Sequence, residues 1–208
     1  RARYIINCAG LQSDRIAKMA KVWFGIRIVP FRGDYYELNQ SAAEKVKGLI
    51  YPVPDPDLPF LGVHLTRTIQ GKVECGPNAV LAFKREGYGK KDFSFRDSWD
   101  ALTYPGTWLM FMRHWRYGFE EYKKSFSKKY FLKQLQKFVP SLRAEDLRPG
   151  TSGVRAQALG PNGEFVDDFR IKRDENTIHV LNAPSPAATA SLAIGEAVSK
   201  MTTKHFNL

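Results

Sequence analysis

The stretch His179-Val-Leu-Asn182-Ala-Pro184-Ser185-Pro186-Ala187-Ala188-Thr189 leaves few architectures open. An apolar strand-like run stops at two prolines and restarts in small, helix-forming residues. It reads as strand, stiff turn and helix N-terminus, a junction that presents backbone N–H groups to a negatively charged atom. The beginning of the chain repeats the pattern. Tyr4-Ile-Ile-Asn-Cys8-Ala9-Gly10 is a short strand closed by Ala-Gly, and Ile16, Met19 and Ala20 then recur at helical spacing, with Ser13 or Asp14 as the cap. Strand-helix pieces at both ends predict one α/β layer assembled from the two ends of the chain.

The middle follows another rhythm. Ile26 to Leu38 reads as a strand interrupted by Pro30 and Gly33, which predicts a bulge or an edge. Pro52, Pro54, Pro56 and Pro59 predict a stiff loop. From Phe60 to Thr66 residues alternate, with Leu61, Val63 and Leu65 on one face and His64 on the other. Gln70-Gly71 is a turn, and Lys72 to Gly76 pairs back. Helices are expected over 93–102, from Pro105 through Trp115, and over 127–139, where Phe131, Leu135 and Phe138 form a stripe. Gly153 to Leu159 reads as a strand carrying Arg155, and the final helix runs from about Ala187 to Met201. The fold class expected is mixed α/β: residues 1–25 and 151–208 contribute to one domain, and 26–150 form a second domain on an antiparallel or mixed sheet.

Composition removes several function classes. No apolar run reaches the length of a membrane-spanning helix. The net charge of +11 suits an anionic membrane face, an acidic substrate or nucleic acid. Lysines and arginines are spread along the chain with no zinc-knuckle or RNP pattern, so nucleic acid is not the expected partner. Cys8 and Cys75 form no C-x-x-C pair and no metal set; both read as buried thiols of a reducing compartment. The first residues lack a starting Met and a signal-peptide layout, so the chain reads as a fragment.

Five separated runs in a fixed order carry a family likeness: Ile28 to Tyr35, Phe60 to His64, Gly76 to Tyr88, Gly153 to Leu159, and Asn182 to Thr189. Together they resemble the L-2-hydroxyglutarate dehydrogenases and oxidases of the FAD-dependent D-amino-acid-oxidase-like superfamily. The likeness covers nearly the whole chain, but only the C-terminal portion of the family. The G-x-G-x-x-G turn that opens such enzymes and holds the FAD pyrophosphate is not in this sequence. The resemblance implies a partial Rossmann-like FAD-binding domain beside a substrate domain. It also implies a small-molecule 2-hydroxy acid substrate, L-2-hydroxyglutarate, and FAD as cofactor.

It also implies roles for particular residues. Arg155 would clamp the substrate carboxylate through a bidentate guanidinium, the alternative being a surface arginine or an internal ion pair. His64 would take the hydroxyl proton, or serve as a hydrogen-bonded structural histidine. His179 is its rival, orienting substrate or meeting the flavin. Gln157, Lys84 with Arg85, or Arg32 with Tyr36 would meet the rest of a five-carbon diacid. Cys8, Ala9 and Gly10, with Pro184, Ser185, Pro186, Ala187, Ala188 and Thr189, would lie against the flavin, where the last helix's dipole favours negative charge. No metal is expected. Electrons would leave to oxygen or to a membrane carrier, from a cytoplasmic enzyme with a peripheral contact on the inner face of the cytoplasmic membrane. Two rivals stand beside this: another amino or hydroxy acid oxidase, and a non-catalytic basic binding module.

Overall fold

The structure, a computed structural model, describes residues 1–22, 24–53, 60–184 and 186–208. The expected stiff loop at Pro54, Pro56 and Pro59 and the expected flavin contact at Ser185 lie outside them. In chain order the elements are β1 (Ile5–Asn7), α1 (Ser13–Met19), β2 (Arg27–Leu38), α2 (Gln40–Ala43), β3 (His64–Arg67), β4 (Val73–Gly76) and β5 (Val80–Leu81). Then follow α3 (Phe95–Leu102), α4 (Pro105–Phe126), α5 (Lys128–Leu135), β6 (Leu147–Leu159), β7 (Arg170–Asp174), β8 (Thr177–Asn182) and α6 (Ser191–Phe206). The chain divides into two compact units. The first is Arg1–Val29, Asp100–Leu109 and Ala156–Leu208; the second is Pro30–Trp99 and Met110–Arg155.

The first unit is built on a three-stranded sheet in the order β1-β8-β7. β8 is buried from Ile178 to Asn182, as a central strand covered on both faces must be. It runs parallel to β1, with Ile6 opposite Ile178, and antiparallel to β7. Ala17, Ile26, Ile28, Ala158 and Leu181 form the core. Ser13 and Asp14 tie elements together instead of capping α1 from outside. The Ser13 hydroxyl donates to the Leu181 carbonyl (3.1 Å), and the Asp14 carboxylate accepts the Ile28 N–H (3.1 Å). Asp100 accepts from Arg15 (3.2 Å) and from Arg27, and Tyr104 donates to the Leu159 carbonyl (3.2 Å), which secures 100–109 within this unit. The last helix begins at Ser191, later than its composition suggests. Pro186 to Ala190 first make a turn closed by the Ala190 N–H on the Pro186 carbonyl (3.1 Å).

The second unit is organised by β2, one continuous strand of 12 residues where two interruptions were expected. Pro30 brings no N–H, but its carbonyl accepts from Ala82 (2.9 Å) and the ladder continues. The sheet order is β3-β4-β2-β5, and β6 also pairs with β2. Leu38, Val63, Leu65, Val73, Cys75, Phe131 and Leu135 pack into one apolar cluster, each side chain contributing roughly 1.5–3 kcal/mol of burial. The Ser127 hydroxyl caps α5 by accepting the Tyr130 N–H (3.2 Å), and Phe131, Leu132 and Leu135 form its buried stripe. α4 extends to Phe126, well past Trp115, with a break in helical geometry at His114. Burial pushes the Cys75 thiol up to about 12 and keeps it inert, but Cys8 is exposed, against expectation.

Candidate active site

The second unit holds a cavity of about 260 Å³ between β2, the β4–β5 connection and β6. Phe31, Gly33 and Tyr35 come from one face of β2, Phe60 and Leu61 from the segment before β3, and Pro77, Asn78 and Ala79 from the connection, with Val154 and Arg155 from β6. Gly33 is there for space. A Cβ at that position would stand 2.6 Å from the Pro77 Cβ and 2.9 Å from the Asn78 carbonyl oxygen. The two walls therefore close only around a residue without a side chain.

Arg155 supplies the cavity's charge. Its guanidinium carbon sits 4.9 Å from the centre of the Phe60 ring, a cation–π contact that fixes the group without neutralising it. No carboxylate or hydrogen-bond acceptor engages it among the described residues. The side chain is open to solvent through the cavity mouth, yet enough protein surrounds it for desolvation to lower its pKa. Burial raises the Tyr35 pKa despite the nearby Arg155 charge, so its phenol stays a donor. Arg32, also in the lining, is held otherwise. Its Nε donates to Asp34 (2.8 Å) and one Nη to the Gly89 carbonyl (2.8 Å), leaving the second Nη without a partner among the described residues. Burial raises the Asp34 pKa, but Arg32, Ser125 and Asn78 outweigh it and hold the carboxyl below its ordinary value. This network fastens β2 to the Asn78 loop and to α4.

His64 lies outside the lining but within reach of the Arg155 charge. Its Nδ1 is 3.0 Å from the Gly62 carbonyl, and its ring stacks on Tyr51 (4.4 Å). A carbonyl only accepts, so Nδ1 carries the proton and Nε2 presents a lone pair. Burial lowers the His64 pKa, as does Arg155, against the opposing effect of the Gly62 bond, so the ring is neutral near pH 7.

His179 differs. It is fully buried in β8 of the first unit. Its Nδ1 accepts from the Asn7 side chain (3.0 Å) and its Nε2 reaches the Thr177 hydroxyl (3.0 Å). Asn7 is oriented by its own bonds to Ser13 and Ala9, so this histidine is a neutral structural link with no nitrogen left for a substrate. Tyr36 also departs from its expected place. It points from the other face of β2 against Phe131 (4.9 Å), and the cavity takes Tyr35 instead. Lys84 is exposed and outside the lining, and Arg85 is buried. Gln157 is half-buried in the first unit, donating to the Ala158 carbonyl (3.3 Å). Phe60 and Asn78 line the cavity without being singled out by the sequence. Their signal was present in the runs beginning at Phe60 and Gly76, where an apolar ring and an amide flank Gly and Pro.

In the first unit, Cys8-Ala9-Gly10 follows β1, and Ala183, Pro184 and then Pro186 to Ala190 follow β8, at the C-terminal ends of two parallel strands. That is the edge at which open α/β sheets bind ligands. Gly10 has φ +50° and open space where a Cβ would stand. Pro186, Ala188 and Thr189 are exposed, and α6 starts without a side-chain cap. These residues fit an apposed flat, electron-accepting ring.

Comparison with known proteins gives the class to which this fold belongs. Residues 1–201 match the family described as FAD dependent oxidoreductase, and the chain belongs to that family. Among curated relatives, it is 51% identical over 203 residues to the L-2-hydroxyglutarate dehydrogenase of Indibacter alkaliphilus, covering 97% of this chain and 51% of that protein. It is 50% identical to the Escherichia coli K12 enzyme of the same name, covering 97% and 48%, and 45% identical to the mitochondrial enzyme of Mus musculus, covering 100% and 46%. The chain thus spans about half the length of these relatives. Among solved structures it resembles dithionite-reduced L-alpha-glycerophosphate oxidase from Mycoplasma pneumoniae with FAD bound. The TM-score is 0.63 at 19% identity, over 99% of this chain and 43% of that one, a likeness of fold.

Proposed function

We propose that this chain is the substrate-handling part of an FAD-dependent enzyme that oxidises L-2-hydroxyglutarate to 2-oxoglutarate. The observation that carries the reading is Arg155, a guanidinium set over Phe60 in a cavity where no anion among the described residues meets it. The substrate's C1 carboxylate fills that role. The free Nη of Arg32 and the Tyr35 phenol receive the distal carboxylate. His64 Nε2 takes the hydroxyl proton as the C2–H bond breaks, and imidazolium forms where the ring was neutral. FAD, when bound, supplies the two-electron acceptor for the hydride leaving C2. Cys8, Ala9 and Gly10, with Pro184, Pro186, Ala187, Ala188 and Thr189, would hold its ring.

Two further expectations belong to this reading. The electrons pass on to oxygen or to a membrane carrier, and the enzyme acts in the cytoplasm with a peripheral membrane contact, for which the net charge of +11 is the support. No helix among the described residues is long and apolar enough to cross a membrane.

The test uses the natural full-length protein that carries this chain. Turnover is measured on L-2-hydroxyglutarate, its D-enantiomer, L-lactate and L-glycerol 3-phosphate. Preference for the first is expected; equal or better turnover of a monoacid or a phosphate would remove the diacid assignment. Arg155→Ala should weaken L-2-hydroxyglutarate binding by ~30-fold or more, about 2 kcal/mol for a charge-assisted pair. Unchanged affinity would refute the clamp.

A further inference from the structure

A buried carboxylate stands behind the Arg155 cavity, outside its lining. Glu121 of α4 is 2% exposed. Its Oε2 accepts the Ala79 N–H (2.8 Å) and its Oε1 accepts from the Lys124 ammonium (2.5 Å). The Tyr117 hydroxyl, one helical turn earlier, donates to the same carboxylate. A carboxylate buried this deeply is unfavourable unless it is both paired and hydrogen-bonded. Lys124 balances the charge, and Ala79 anchors the group to the cavity wall. The third donor, Tyr117, is the one that Glu121 itself holds in place.

Tyr117, Glu121 and Ser125 are spaced by four residues, so they share one face of α4, and all lie in the second unit with the cavity. The row meets three of the cavity's elements in turn. Ser125 donates to Asp34 of β2 (3.0 Å). Glu121 accepts from Ala79 in the β4–β5 connection. Tyr117 lies within electrostatic reach of the Arg155 guanidinium on β6, as Tyr35 does from β2. The two phenols differ in what they have left to offer. Burial, then the Glu121 charge and hydrogen bond, raise the Tyr117 pKa against the opposing effect of Arg155. The phenol therefore keeps its proton, and that proton is committed to Glu121. What remains on its oxygen is lone pairs. Lone pairs repel a carboxylate and attract a guanidinium, so Tyr117 suits Arg155 and not the anion that Arg155 binds. The Lys124 ammonium, 5.9 Å from the centre of the Tyr117 ring, adds a further contact to the pair.

We infer that Tyr117 and Glu121 form a positioning pair for the Arg155 clamp: Glu121 fixes the phenol, and the phenol oxygen orients the guanidinium towards the substrate carboxylate. The role rests on Arg155 as the carboxylate ligand proposed above. The cation–π contact with Phe60 sets how far the guanidinium stands from the ring and leaves its rotation free. An acceptor within reach restrains that rotation, and a bidentate bond to a carboxylate needs it restrained. A carboxylate is required at 121 because three donors converge on it. A glutamine would turn an NH2 group on at least one of them.

The experiment uses the natural full-length protein and compares Glu121→Gln, Tyr117→Phe and Arg155→Ala, singly and in pairs. Two readouts are taken: the dissociation constant of 2-oxoglutarate by calorimetry, and KM and kcat for L-2-hydroxyglutarate. Glu121→Gln should weaken 2-oxoglutarate binding and raise KM by about tenfold, and Tyr117→Phe by about fivefold, as for the loss of one oriented hydrogen bond. In the Arg155→Ala background either change should cost less than about twofold, because its effect runs through the guanidinium. A role in stability alone would lower the folded fraction, and with it kcat, while KM and the dissociation constant stay at parent values; that result overturns the inference. So does a loss of the same size with and without Arg155. Arg155→Ala without effect on either ligand would remove the clamp and the pair together. A weakened Arg155→Ala beside unaltered Glu121→Gln and Tyr117→Phe would remove the pair alone. Should Glu121→Gln fail to fold, Tyr117→Phe, which deletes one oxygen and keeps the ring, decides by the same comparison.

Discussion

The two histidines that a sequence reading places in competition are separated by what their ring nitrogens touch. His64 gives one nitrogen to Gly62 and keeps the other; His179 gives both. Because burial and Arg155 hold His64 below its ordinary value of 6.5, the acidic limb of kcat/KM against pH should lie below 6.5. Arg155→Gln removes a charge that disfavours imidazolium, so the limb should move to higher pH; a limb unmoved by that change would detach His64 from the site. His179 offers a stability signal instead. Its pKa is lowered by burial, so the unfolded chain binds the proton more readily below pH 6.5. Its contribution is complete above 6.5 and lost as pH falls. Thermal melts across that window should therefore flatten in His179→Gln. Arg155 was legible because a charge inside an apolar alternating run is conspicuous. Tyr35 was not: β2 is apolar for much of its length on both faces, so no alternation distinguishes Tyr35 from Tyr36.

Among the elements, α5 is legible from its one-sided stripe and β8 from its apolar run, whereas α4 and β2 are not legible at their true extent. β3 buries Leu65 between half-buried His64 and Thr66, and α5 shows its stripe and its Ser127 cap. Truncating that stripe with Phe131→Ala should cost ~3–5 kcal/mol, and Ser127→Ala about 1 kcal/mol, both read from urea midpoints. Equal costs would mean that α5 is held by its cap and not by its packing. α4 was read short because its aromatic residues face outward, where a periodicity argument expects polar ones. β2 was read as broken because Pro30 and Gly33 are breakers in isolation. Here Pro30 uses its carbonyl and Gly33 admits Pro77, so both are placed by tertiary contacts that a local reading does not contain.

For the molecule as a whole, the α/β class and the return of the chain's end to its beginning were legible from the matched strand-helix pieces. The inclusion of Asp100–Leu109 in the first unit was not, since it depends on Arg15, Arg27 and Tyr104 meeting partners far away in sequence. The parallel pairing of β1 with β8 sets an order of events during synthesis. Ile6 meets Ile178 only after β2 to β7 have been made. A ribosome releases β1 long before its neighbour exists, whereas the hairpin of β3 and β4 closes from adjacent residues. Pulse-labelled hydrogen exchange on nascent or refolding chains should protect Leu65 and Cys75 early and Ile6 last. Until β8 emerges, the isoleucines of β1 lack the strand that pairs with them in the folded unit, so β1 stays an open edge through the synthesis of everything between.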